Sequence, residues 1–183
     1  ALMAALTVGG VVLSLGWRAA AAEAAASPDQ VLISGAPDDR TEGCNTGLRS
    51  TDVTGCVFGD TTSSVVVVVF GDSHAGHLLP AIDLVAQDRG WRVETLLKSG
   101  CGTLGAPIWS VGLGRVYEEC DVWREAAYER VESLAPTLVI TSSFFRDYEK
   151  SADAPVWEPA TARVLGALAE HSDAVLLVRD VPI

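Results

Sequence analysis

Basic side chains are scarce in this sequence: 13 Lys and Arg stand against 24 Asp and Glu, which leaves a formal charge of −11 and a pI near 4.5. Proteins hold polyphosphate largely through Lys and Arg that displace counterions, so nucleic acid is excluded as a partner. There is no Cys-x-x-Cys pair, none of the four cysteines has a histidine near it, and only three histidines occur at all. A zinc site therefore has no ligand set, and neither a metal nor a cofactor is expected. Internal repeats are missing. So is the low hydrophobicity of a disordered chain: 49% of the 183 residues are hydrophobic, enough for the core of one globular domain.

Charge is absent from Ala1 to Trp17. As a helix rising 1.5 Å per residue, this run reaches roughly 25 Å, a few residues short of a bilayer core of about 30 Å. Trp17 and Arg18 close it with residue types that settle at a membrane interface. We read 1–18 as a partial transmembrane helix, the last of a preceding membrane domain. A signal peptide would find small residues for cleavage between Ala19 and Ala26, but it lacks a basic n-region and Arg18 intervenes. A buried core helix would be poorly served by Gly9, Gly10 and Gly16.

The cysteines bear on the same question. Cys44 and Cys56 lie in a Gly/Thr/Asp-rich stretch, and Cys101 and Cys120 flank a Gly/Pro-rich loop. Of the three possible connectivities, Cys44–Cys56 with Cys101–Cys120 is expected, because each bond then staples one irregular segment. Disulfides persist outside the cytosol, and the sparse Lys and Arg after Arg18 fit an exported flank. The expected location is the cell membrane, with the remainder of the chain on the extracytoplasmic side.

From Ser27 to Ser64 no periodicity is sustained, so 19–64 is expected to be a disulfide-stapled linker and 65–183 an α/β domain. Val65 to Phe70 is wholly apolar and five of its six residues are Val, the composition of a strand buried on both faces. A helix follows over His74 to Gln87, with Pro80 tolerated early, then a strand over Trp91 to Lys98. Apolar residues at three- and four-residue spacing predict a helix from Val116 to Leu134, and Pro136 stops it. A strand over Thr137 to Thr141, a helix over Glu158 to Glu170 and a strand over Ala174 to Val178 complete the alternation. That order is the signature of a doubly wound parallel sheet flanked by helices, whose ligands sit outside the carboxyl ends of the strands.

One such end is Gly71-Asp72-Ser73-His74-Ala75. Ser73 follows a buried strand after a single Gly–Asp turn and opens a helix, so its hydroxyl is presented where backbone N–H groups favour developing negative charge. A nucleophile fits there better than a simple helix cap. His74 and His77 lie on the same helix. A side chain adjacent on a helix points away from its neighbour, so substrate contact or packing suits His74 better than deprotonating Ser73. Asp72 is expected to hold the turn, and His171 to lie at the surface.

The block Gly71 to Ala75 resembles the first motif of SGNH hydrolases, in the variant carried by the extracytoplasmic SGNH domain fused behind membrane-bound acyltransferase family 3 domains. The "KSGCGTL" loop, the "CDVW" helix and the "LLVRDVPI" stretch extend the resemblance over about Cys44 to Ile183. It implies an SGNH-like, flavodoxin-like α/β fold. It also implies Ser73 as nucleophile, with its own backbone N–H as one oxyanion donor and Gly102 or Gly100 as another, Gly102 being preferred. The asparagine of the third motif has no counterpart: the loop reads Ser142-Ser143-Phe144-Phe145-Arg146, in which Ser142 and Arg146 are candidate substrate contacts alongside His74 and His77. The Asp and His of the last motif are expected beyond Ile183, so the chain by itself is expected to be inactive.

The function implied is cell-surface acyl transfer through an acyl-serine, O-acetylation of a cell-envelope glycan in particular, as part of a larger membrane-bound acyltransferase. The partners are an acyl donor, a glycan acceptor and the membrane domain. With water as acceptor the same site is a carbohydrate esterase. The non-enzyme alternative is an idle glycan-binding module, with Trp109 and Trp157 as sugar contacts while Trp91 and Trp123 sit in the core. "GDSHAG" also resembles a metallophosphoesterase element, but Ala75 replaces its Gly and no His precedes His74 to complete a two-metal centre.

Overall fold

The computed structural model describes residues 43–144 and 157–179, and the apolar run 1–18 and Arg146 lie outside them. The chain runs β1 (Asn45–Thr46), β2 (Val57–Gly59), β3 (Val66–Gly71), α1 (Ser73–Gly76), α2 (Leu79–Arg89), β4 (Arg92–Lys98), β5 (Trp109–Ser110), β6 (Arg115–Val116), α3 (Glu118–Leu134), β7 (Leu138–Ser142), α4 (Trp157–Glu170) and β8 (Val175–Leu177). Among the described residues no helix is long and apolar enough to cross a membrane.

A run such as Val66 to Phe70 has no polar face to turn to water, so its strand must be covered on both sides. β3 is that strand. It lies parallel between β4 and β7, and β8 continues the parallel sheet beyond β7. Alternate side chains serve two cores. Val68 and Phe70 pack with Trp123, Ala127 and Val131 of α3 and Val164 and Leu168 of α4, whereas Val67 and Val69 pack with Ala75, Leu79 and Ala86 of α1 and α2. Phe70 meets Trp123 at 5.9 Å between ring centroids and Tyr128 edge-on at 5.4 Å. The architecture is the expected mixed α/β layer with a mostly parallel central sheet.

Three local expectations are corrected. The helix over His74 to Gln87 is two helices, and Pro80 lies in the first turn of the second, α2. Proline has no N–H to offer the carbonyl four residues back, and its ring collides with that carbonyl, so the helix must restart. The stretch expected as linker contributes two short strands on the same edge of β4. β1 pairs parallel with its end at Leu97 and Lys98, and β2 pairs antiparallel with its start at Arg92 to Glu94. Strands of two and three residues are too short to leave a periodic trace. Val116, expected to open a helix, instead lies in the β5–β6 hairpin opposite Trp109.

Both disulfides form as expected, with Cα–Cα distances of 5.2 Å for Cys44–Cys56 and 5.4 Å for Cys101–Cys120. The first joins the approaches to β1 and β2. The second ties the loop after β4 to the first turns of α3.

Lys98 holds the first of these loops from below. Its fully buried Nζ donates to the carbonyls of Gly47 at 2.8 Å, Leu48 at 3.4 Å and Ser50 at 2.5 Å. Burial pushes its pKa down to about 8, against a smaller upward pull from Glu119. Between about pH 8 and the ordinary lysine value, the unfolded chain keeps a proton that the folded chain has released, so the Lys98 contribution to stability grows as pH rises through that window. Thermal melts of wild type and Lys98→Met across pH 7 to 10 should show this upward slope in the wild type, and equal slopes would refute it.

Candidate active site

The carboxyl end of β3 is built around a residue with no side chain. Gly71 is paired in register with Ser142 of β7 and has φ 156°; a Cβ there would run into the Ser142 carbonyl and stand 2.8 Å from the Ala75 Cβ. Asp72, 1% exposed, then caps α1 and reaches across the sheet. Its Oδ1 accepts from the His74 N–H at 2.8 Å and its Oδ2 from the Phe144 N–H at 2.7 Å. One carboxylate thus fixes both the serine turn and the loop after β7, the holding role expected of it.

Ser73 stands on this turn with its side chain exposed. Among the described residues its hydroxyl makes no hydrogen bond. The His74 imidazole stacks on the Phe144 ring, 4.6 Å between centroids and 22° between planes, and lies 5.2 Å from the exposed His77 ring. The His74 imidazole thus packs on the loop after β7 through Phe144.

The loop after β4 crosses toward the loop after β7. Gly102 is buried, and the residue after it makes the connection. The Thr103 N–H donates to Ser143 Oγ at 3.1 Å, Thr141 Oγ1 donates to Thr103 Oγ1 at 3.1 Å, and the Thr103 and Ser143 hydroxyls are 3.3 Å apart. From α3 the Tyr128 hydroxyl donates to the Thr103 carbonyl at 2.6 Å, and burial pushes its pKa up to about 12, so it remains a donor. Since β3 lies between β4 and β7, these bonds bring the two loops together around the end that carries Ser73.

The fold therefore places Ser73, His74 and His77 and the Gly102 loop after the carboxyl ends of adjacent parallel strands, β3 and β4. Ser142, a candidate substrate contact, is 3% exposed as the last residue of β7, and the half-buried hydroxyl beside it belongs to Ser143. Trp109 is 49% exposed on its hairpin and Trp123 fully buried, while Trp91 is partly buried against the α2 face; the Trp157 side chain lies outside the described ones. His171 is exposed. Among the described residues no three His, Cys, Asp or Glu side chains stand together as metal ligands. Sequence reasoning missed the Thr103–Thr141–Ser143 cluster and the Phe144 contacts. The available signal was Thr141-Ser142-Ser143, a polar run at the end of an otherwise apolar strand.

A parallel α/β sheet with a glycine–aspartate turn presenting a serine at the carboxyl end of a central strand defines an SGNH-type domain. The chain belongs to the family of SGNH domains fused to AT3 domains, which it matches over residues 18–182. In structure it is similar to the lipopolysaccharide acetyltransferase periplasmic domain of Salmonella ser. Paratyphi A, with a TM-score of 0.57 at 16% identity. That similarity covers 84% of this chain and 55% of the other, so this chain spans just over half the length of that domain. No curated protein matches it in sequence.

Proposed function

We propose that the chain is the extracytoplasmic part of a membrane-bound acyltransferase and passes an acyl group, acetyl in the simplest case, to a hydroxyl of a cell-envelope glycan. The observation that carries this is Ser73, exposed on a turn that Gly71 and Asp72 hold rigid at the ligand-binding end of the sheet. Membership of a family defined by fusion to AT3 domains supports a membrane partner that delivers the acyl group. Likeness to a lipopolysaccharide acetyltransferase periplasmic domain supports the glycan acceptor. Two disulfides support an extracytoplasmic site, and the run 1–18 is proposed to be the last membrane helix before it.

In this reading Ser73 Oγ attacks the carbonyl carbon of the acyl donor and gives its proton to a general base. The bond from that carbon to the donor's leaving group breaks, and the departing atom takes a proton. The acceptor hydroxyl then attacks the acyl-serine, its oxygen keeps the acyl group, and Ser73 Oγ leaves with a proton restored. The Ser73 backbone N–H and Gly102 are proposed to face the oxyanion in both steps. The general base is assigned, by family resemblance, to the Asp and His of the last SGNH motif.

The full-length protein, incubated with its acyl donor without acceptor, quenched and digested, should carry the acyl mass on the peptide containing Ser73. Turnover with no such adduct, or an adduct on another residue, would end this assignment. Adding glycan separates the two acceptor chemistries, because a transferase yields acylated glycan and an esterase yields free acid.

A further inference from the structure

We propose that the Ser143 hydroxyl donates to the oxyanion, filling the place for which this sequence has no asparagine. The inference rests on Ser73 as nucleophile. It follows from counting protons. A hydroxyl has one O–H and two lone pairs. Thr141 Oγ1 spends its proton on Thr103 Oγ1. In the 3.3 Å pair of Thr103 Oγ1 and Ser143 Oγ either hydroxyl can donate, and the proton is assigned to Thr103 because its buried O–H meets no other acceptor among the described residues. The Thr103 N–H donates to the same oxygen. Both Ser143 lone pairs are then occupied, so its proton must point out of the cluster, and among the described residues no acceptor meets it.

Burial agrees with this direction. Thr141 and Thr103 are 1% and 2% exposed, whereas Ser143 is only half-buried, so the relay starts in the core and ends on a surface O–H. That surface is the one beside the nucleophile. Ser142 is paired with Gly71 and the Phe144 N–H is bonded to Asp72, so Ser143 lies between two residues clamped to the Gly71–Asp72–Ser73 turn. Its other neighbour, Thr103, follows Gly102. Two donated hydrogen bonds polarise the Ser143 hydroxyl and make it a stronger donor, and they hold it in place before charge develops. No proton is transferred; the O–H shortens its approach to the carbonyl oxygen as that oxygen becomes negative.

The test is steady-state transfer by the full-length protein carrying Ser143→Ala or Thr103→Val. Loss of one oxyanion donor lowers kcat by about 10²- to 10³-fold with KM little changed, and this is expected of Ser143→Ala. Thr103→Val leaves the Ser143 O–H in place and should cost within about tenfold. If the cluster merely ties two loops together, Thr103, its buried centre, is at least as sensitive as Ser143, and that ranking overturns the proposal. So does Ser143→Ala at near wild-type kcat, or a loss carried by KM. A parallel Ser73→Ala separates the two readings: if it is active, both fall; if it is dead while Ser143→Ala is not, only the Ser143 proposal falls.

Discussion

Ser73→Ala should lower glycan acylation by the full-length protein by about 10⁴- to 10⁶-fold, the range seen when a catalytic nucleophile is removed and only binding and oxyanion contacts remain. Folding should be untouched. The side chain is exposed and its hydroxyl makes no hydrogen bond among the described residues, so its loss falls in the class of surface substitutions worth about 0.5 kcal/mol or less. A melt coincident with wild type alongside abolished transfer is the expected pair of results. Transfer within tenfold of wild type would show that the acyl group does not pass through this serine. Coupled losses of melting temperature and activity would instead mark Ser73 as part of the turn's structure.

The framework of the fold was legible because it rests on patterns that the sequence shows locally. A wholly apolar Val run announces a doubly covered strand, and alternation of strands and helices announces a parallel sheet. The Gly-Asp-Ser turn was legible for the same reason: its three residues are adjacent, and each does a separate job. The elements that were not legible are those whose cause lies elsewhere in the chain. β1 and β2 exist because β4 offers them an edge and Cys44–Cys56 holds their approaches together. Likewise, the contact between Asp72 and Phe144 spans 72 residues, and the Thr103 bonds to Ser143 and Thr141 span 40 and 38. Spacing rules carry no information at such separations. The Ser143 hydroxyl proposed to face the oxyanion becomes visible only when the loops after β4 and β7 are seen to meet.

Gly71→Ala should be strongly destabilising, and its comparison with Gly90→Ala shows why. Both glycines have positive φ, 156° and 64°. At Gly90, the C-terminal cap of α2, a Cβ would meet nothing within 4 Å, so Ala there bears only the left-handed backbone cost of about 1 kcal/mol. At Gly71 the new methyl meets the Ser142 backbone on one side and the Ala75 Cβ on the other. Neither side yields easily. The Ser142 carbonyl belongs to a β7 strand paired with β3 from Val67 to Gly71, and Ala75 is the fully buried residue by which α1 packs on the core. Relief requires the end of β3 to part from β7, which also pulls the Asp72 carboxylate from the Phe144 N–H. We expect a loss of about 3 kcal/mol or more for Gly71→Ala. At roughly 2–4 °C per kcal/mol for a chain of this size, that lowers the melting temperature by about 10 °C. Transfer activity should fall even below the melt, because the displaced atoms are those that aim Ser73. Equal melting temperatures for the two alanine variants would show that β3 and β7 part without cost, and the rigid turn on which the site depends would not exist.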